Sequence, residues 1–142
     1  ITISVVSHRE EINKKNYMQN KRDYIDLPKL IEYLHELKFC VRLTCVCCKD
    51  MMDNPKKIKE FIKYAKKNKV EQVTLRPVND EYQRESTHLW ILKNKLTEDN
   101  KEDIRNYLEE VGTRLLVLER IGTIYDVEGQ NVMFSLPLTK YT

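Results

Sequence analysis

Apolar positions recur along the chain in two rhythms, one of period two and one close to period 3.6. ITISVV (1–6) is a short β-rich run, and a long polar segment follows through Arg22. Behind Asp26, a good helix N-cap, Leu27, Leu30, Ile31, Leu34 and Leu37 return at helical spacing. FCVRLTCVC (39–47) reads as a strand. Asn54-Pro55 reads as N-cap and first helical residue, with Ile58, Phe61, Ile62 and Ala65 as one apolar stripe. VEQVTLRPV (70–78) is a third strand closed by Pro77, and 86–96 is predicted helical. Thr97 caps a further helix with the stripe Ile104, Tyr107, Leu108 and Val111, ended by Gly112. TRLLVLER (113–120) reads as a strand, and IGTIYDV-EG-QNVMFSLPL as a hairpin turning at Glu128-Gly129.

Strand and helix alternate over the first two thirds, with strand starts 30 to 40 residues apart, which is the signature of parallel βαβ units. The tail reads as antiparallel. Within the strands, side chains alternate between faces. Thr2 and Ser4 oppose Ile1, Ile3 and Val5; Arg42 and Thr44 oppose Val41, Leu43 and Cys45; Gln72, Thr74 and Arg76 oppose Val73 and Leu75. A parallel sheet covered by helices on both sides is apolar on both faces, and an ordinary barrel lumen is filled by Val, Ile and Leu. One polar face predicts a partial, half TIM-like barrel of parallel βα units whose lumen holds a polar ligand. A C-terminal antiparallel hairpin extends it. The chain is expected to be one domain, 1–142, with half-barrel units over 1–112 and the strand and hairpin over 113–142. Beginning at Ile1 inside an apolar run, it reads as a piece of a longer protein.

Composition narrows the classes. Apolar residues at 41% and charged residues at 33% are ordinary for a globular domain and argue against disorder. The net charge of +3 is too small to imply nucleic acid. No window approaches the ~18 apolar residues of a membrane helix, and no signal peptide opens the chain, so no membrane partner is expected. All four cysteines lie in CVRLTCVCC (40–48), which points to a reducing cytoplasm rather than a disulfide scaffold. Cys40-x4-Cys45-x2-Cys48 copies the opening of a ferredoxin motif. An extended segment from Cys40 to Cys48, however, spans ~26 Å at about 3.3 Å per residue, too far for one cluster. Cys45 and Cys47 are therefore expected to pack as small apolar groups, with no metal ligand in the stretch.

With the strands placed, DLPKLIEYLHELKFCVRLTCVCCKDMMDNPKKIKEFIKYAKKNKVEQVTLRPV resembles the second half of the catalytic domain of radical S-adenosylmethionine enzymes. In that family a helix leads to a strand of the type VRLTCV, then a helix of the type EEFIxFAKxxGV, then a strand QVTLRPV. ITISVVSH resembles the strand before them, and GTIYDVEGQNV a hairpin that follows the barrel in some members. The CxxxCxxC loop that holds the family's [4Fe–4S] cluster and the glycine-rich segment that meets the methionine amino group are absent. The resemblance implies the C-terminal portion of an iron–sulfur oxidoreductase, contributing part of the S-adenosylmethionine and substrate pocket and not catalytic alone. S-adenosylmethionine and the [4Fe–4S] cluster belong to the parent protein, and neither is expected on this piece. The parent's substrate would be a small molecule or a peptide.

On the matching strands, the resemblance implies that Ser4, Arg42, Thr44 and Arg76 bind the cofactor. Arg42 suits the methionine carboxylate through a bidentate guanidinium, and Ser4 or Thr44 suits ribose hydroxyls. Barrel sites lie at the carboxyl ends of strands, which adds His8, Arg9, Lys49 and Asn79 as weaker lumen-mouth candidates. Two other classes compete. One is a stand-alone half-barrel module that binds or self-associates through the edge strand 1–6. The other is a flavodoxin-like open sheet, which the near absence of glycine at strand ends disfavours.

Other features read as structural. Lys56, Lys57, Lys59, Lys63, Lys66, Lys67 and Lys69 lie off the apolar stripe of their helix as a solvated outer face, without the aromatics or arginines of a nucleic-acid surface. His35 is expected on the surface and Trp90 in the packing.

Overall fold

The computed structural model describes residues 1–17, 23–79 and 85–135, the side chain of Glu85 excepted. Its elements are β1 (Thr2–Val5), α1 (Glu10–Tyr17), α2 (Leu27–Glu36), β2 (Arg42–Cys47), α3 (Pro55–Lys67), β3 (Gln72–Pro77), α4 (Glu85–Asn94), α5 (Glu98–Val111), β4 (Thr113–Leu118), β5 (Gly122–Val127) and β6 (Gln130–Ser135).

Three helices start where the sequence supplies an acceptor. Asp26 Oδ1 accepts from Lys29 N at 3.1 Å, and Asn54 Oδ1 from Lys57 N at 3.1 Å, each with a proline in the first turn. Thr97 and Asn100 cap each other's backbone amides. With only three glycines in the chain, α2 and α3 stop without one. Lys38 (φ 65°) and Lys69 (φ 57°) take the left-handed position, and the next amides reach back, Phe39 N to Leu34 O and Val70 N to Ala65 O, each at 3.0 Å. Both turns aim the chain straight into β2 and β3.

The sheet has six strands in the order β1-β2-β3-β6-β5-β4. β1, β2, β3 and β6 are mutually parallel; β5 runs antiparallel to β6, and β4 antiparallel to β5. A two-residue turn at Glu128 (φ 52°) and Gly129 (φ 84°) joins β5 to β6, as the sequence predicts, with Asp126 Oδ1 accepting from Gly129 N at 2.6 Å. The tail is therefore not a purely antiparallel appendage. Its last described strand is a fourth parallel strand of the main sheet, held to β3 by the side-chain bond from Gln72 Nε2 to Asn131 Oδ1 at 2.9 Å. Hairpin signals are local, so they reveal β5–β6 pairing and are silent on which strand β6 finds on its other side.

One cluster holds the core. Ile31 and Leu34 of α2, Ile58, Phe61 and Ala65 of α3, and Ile104 and Leu108 of α5 meet the strands there. The strand residues in that cluster are Val5, Leu43, Cys45, Cys47, Val73, Leu75, Tyr125, Val127, Val132 and Phe134. Every one of them lies on the same face of the sheet by register and alternation. The apolar face expected for the first three strands thus continues over β5 and β6. Truncating Phe61, fully buried at the centre, would cost about 3–5 kcal/mol.

Three sequence expectations need correction. The polar segment after β1 contains α1, whose charges match the helix dipole, Glu10 and Glu11 first and Lys14 and Lys15 last. Its one buried residue, Asn13, accepts from Val6 N and Ser7 N and donates to Ser7 O, so a side chain rather than an apolar stripe docks it. Trp90 is exposed on α4 with Leu89 and Leu92, while Ile91 is the buried residue of that helix. His35 is only half-buried rather than on the open surface: it shares the Glu71 carboxylate (3.2 Å) with the amide of Val41 (2.7 Å). The lysines of α3 are exposed apart from Lys57, which pairs with Asp53 at 2.8 Å. Among the described residues, no helix is long and apolar enough to cross a membrane.

Candidate functional site

The face of the sheet turned away from α2, α3 and α5 is organised in rows across the strands. The first row runs Thr2, Arg42, Gln72, Asn131, Asp126, Thr113, polar from edge to edge. The second runs Ser4, Thr44, Thr74, Met133, Ile124, Leu116: three hydroxyls, then three apolar side chains. Further toward the carboxyl ends of the parallel strands, Val46 lies opposite Arg76.

Two observations single out this face. Thr74 is only 5% exposed, and its buried hydroxyl has no hydrogen-bond partner among the described residues. A buried polar group left without a partner costs about 1–3 kcal/mol. The guanidinium groups of Arg42 and Arg76 are exposed and bond to no other described residue. With one described carboxylate in these rows, Asp126, already accepting from Gly129 N, the face favours an anionic or hydroxyl-bearing ligand.

The sequence-predicted residues divide into three groups. Ser4, Thr44 and Arg76 share this face, Ser4 and Thr44 as register partners. Arg42 shares it too, but it opens β2 in the amino-terminal row. Four residues of strand and one strand spacing put ~14 Å between its backbone and that of Arg76. Lys49 and Asn79 follow the carboxyl ends of β2 and β3, where the Lys49 amide donates to Asn94 O at 2.8 Å and ties α4 to that end. His8 and Arg9 turn instead to the helix layer. Both approach Glu60 of α3, at 3.8 and 4.0 Å, and His8 lines a cleft of ≈ 210 Å³ with Asn13, Tyr24, Leu27 and Tyr64. They face away from the open side because α1, docked through Asn13, folds that loop back over α3. Burial holds the His8 imidazole below its usual pKa, outweighing the pull of Glu60.

Gln72 and Thr74, placed on the polar face from sequence without a role, share the face with Asn131 and Met133, which were not placed there. Thr74 was legible, since it alternates with Val73 and Leu75. Asn131 and Met133 alternate with Val132 and Phe134 in the same way, but their place beside β3 depends on the β3–β6 pairing.

The cysteines do not form one group. β2 is six residues long, Cys40 precedes it and is exposed, and Cys45 and Cys47 lie in the core with the Cys47 thiol donating to Cys45 O at 3.5 Å. Burial, and then the neighbouring Cys47, pushes the Cys45 thiol well up and that of Cys48 to about 11. Among the described residues, no three His, Cys, Asp or Glu side chains converge as a metal site. The described residues therefore do not fit a [4Fe–4S] cluster. Comparison with protein families, curated proteins and solved structures returns no match to the chain.

Proposed function

We propose that this chain is the C-terminal portion of a radical S-adenosylmethionine enzyme, a half-barrel whose open polar face forms part of the wall for S-adenosylmethionine and substrate. The observation that carries the reading is the face itself. Parallel β1, β2 and β3 bury their apolar side chains under the helices and turn Ser4, Thr44, Thr74 and Arg76 the other way. The Thr74 hydroxyl, buried there without a partner among the described residues, supports the reading as a group that a ligand could satisfy.

Each group has a role suited to its chemistry. Arg76, near the carboxyl end of β3 where barrel sites lie, holds the ligand's carboxylate or a substrate anion. Thr44 and Thr74 take ribose hydroxyls in the hydroxyl row, flanked by Ser4. Arg42, ~14 Å away, meets the opposite end of a long ligand or a charge on the rest of the barrel. The cluster and the reductive cleavage belong to chain other than these 142 residues, so this portion binds and orients.

The test is titration of the chain with S-adenosylhomocysteine, followed by amide chemical shifts. Shifts are expected at Thr44, Thr74 and Arg76 and not on β4. Absence of any shift on β2 and β3 at millimolar ligand would sink the reading. A second reading, a stand-alone module that associates through the first strand, is favoured by one observation: β1 ends the sheet, and its outer edge has no described strand beside it.

A further inference from the structure

The ≈ 210 Å³ cleft in the helix layer has a chemistry of its own. Residues of α1, α2 and α3 line it, and its walls are largely aromatic and apolar: His8, Tyr24 and Tyr64, with Leu27 and Pro28. The His8 and Tyr64 rings form a tilted pair, 6.1 Å between centroids at 42°. Glu10 is the one carboxylate in the lining, and it forms no ion pair with another described residue.

The charges around the cleft leave it negative. Burial and then Glu10 raise the Tyr24 phenol, while burial, then Asp26, Tyr24 and Glu10 push Tyr64 up to about 12. Both phenols therefore stay neutral under the influence of these carboxylates. The cations nearby are already engaged, Lys29 with Asp26 at 3.3 Å and Arg9 with Glu60 at 4.0 Å. His8 adds no positive charge at neutral pH, because burial holds its pKa below 6.5. Its Nδ1 is buried without a hydrogen-bond partner among the described residues, and its Nε2 lies 3.8 Å from Glu60 Oε2. A proton on Nε2, toward Glu60, leaves Nδ1 as an acceptor that lacks a donor.

We propose that this cleft binds a protonated primary alkylamine, with the ammonium among Glu10, Tyr24 and Tyr64 and the alkyl chain against Leu27 and Pro28. Three properties of the lining select that class. Aromatic rings and an unpaired carboxylate attract an organic cation and repel an anion. An ammonium N–H is the donor that His8 Nδ1 lacks, and the two meet once the ring turns toward the cleft. The volume equals the share of about seven waters, which suits a small amine rather than a nucleotide. The inference does not rest on the proposed function, since the cleft lies among the helices, on the side of the sheet opposite Ser4, Thr44 and Thr74.

The test is titration of the chain with n-butylammonium chloride at constant ionic strength, followed by ring-proton shifts. Saturable shifts are expected at His8, Tyr24 and Tyr64, with Kd on the order of 1 mM. Tyr64→Leu should weaken binding roughly tenfold and Tyr64→Phe should leave it nearly unchanged, because the ring and not the hydroxyl meets the cation. Glu10→Gln, at an exposed position, should weaken it roughly threefold, with circular dichroism confirming each fold. Tetramethylammonium, which has no N–H, should bind more weakly, and 1-butanol should give no saturable shift. Nα-acetyl-lysine amide distinguishes the sources of the amine: binding as tight as butylammonium places it on a peptide, and weaker binding leaves a free amine as the ligand. The proposal is overturned if n-butylammonium fails to saturate these shifts by about 20 mM. It is equally overturned if 1-butanol or tetramethylammonium binds as tightly, or if Glu10→Gln and Tyr64→Leu both bind unchanged.

Discussion

Thr44 and Thr74 are register partners on adjacent parallel strands, both buried on the sheet face opposite α2, α3 and α5, and among the described residues the Thr74 hydroxyl bonds to nothing. That pair separates stability from function at a single atom. Replacing Thr74 by valine keeps the shape and removes the unsatisfied oxygen. The ligand-free chain should gain about 1 kcal/mol, read as a higher urea midpoint at unchanged slope. The same change should weaken binding of S-adenosylhomocysteine roughly tenfold, since the lost hydrogen bond is worth about that much. A variant less stable than the parent chain would mean that the hydroxyl already has a partner.

Gly122 is the second sensitive point. Its φ of 150° opens β5, and a Cβ there would press on the Phe134 carbonyl oxygen and lie 3.0 Å from Ser135 Cα in β6. Backbone, not a flexible side chain, blocks the space. Gly122→Ala should cost about 2–4 kcal/mol in chemical unfolding. Gly129→Ala meets nothing within 4 Å and bears only its φ of 84°, so its cost should stay near 1–2 kcal/mol. Equal losses at the two sites would contradict the close approach of β5 and β6 at Gly122.

Much of this arrangement was legible before any coordinates. Asp26, Asn54 and Thr97 announce the three core helices, and the alternation in TISV, RLTCV and VTLR assigns each strand residue its face. Each depends on neighbours within four residues, where capping and side-chain periodicity act. What escaped depends on longer range or on polar docking. The β3–β6 pairing joins residues nearly sixty apart, and nothing in QNVMFS specifies that partner. α1 has no apolar stripe to reveal it, although Ser7-x-x-Glu10 carries the pattern of a helix start. The exposure of Trp90 is set by where the α4 backbone is tied at Lys49, which composition does not encode.

Glu71 sets part of the acid sensitivity. Burial alone would raise its pKa, but the Val41 amide and then the His35 imidazole bond the carboxylate and hold it below the usual glutamate value of 4.5. A carboxylate whose pKa falls on folding contributes stability above its unfolded pKa and loses it as pH drops through the folded value. Stability should therefore decline as pH falls below about 4.5, with Glu71 as one contributor among the carboxylates. Glu71→Gln should lower stability at pH 7 and flatten the decline between about pH 5 and 3, in urea melts across that range. An unchanged slope would assign the acid response elsewhere.

Thiol chemistry tests the disposition of the four cysteines directly. Cys40 is exposed before β2, while Cys45, Cys47 and Cys48 are buried. Only the thiolate attacks a disulfide reagent, and burial raises the Cys45 thiol pKa and brings that of Cys48 to about 11, so neither supplies much thiolate at pH 8. A colorimetric disulfide reagent should thus titrate one thiol promptly in the native chain and all four in denaturant. Cys40→Ser should remove the prompt phase and leave the total one lower. The slow reaction of the rest should follow the rate at which β2 is released from beneath α2 and α3, and so slow as ligand or lower temperature stabilises the fold. Prompt reaction of two or more thiols would show that the Cys45–Cys48 segment is open to solvent. The CxxC would then have to be reconsidered as a working pair of thiols.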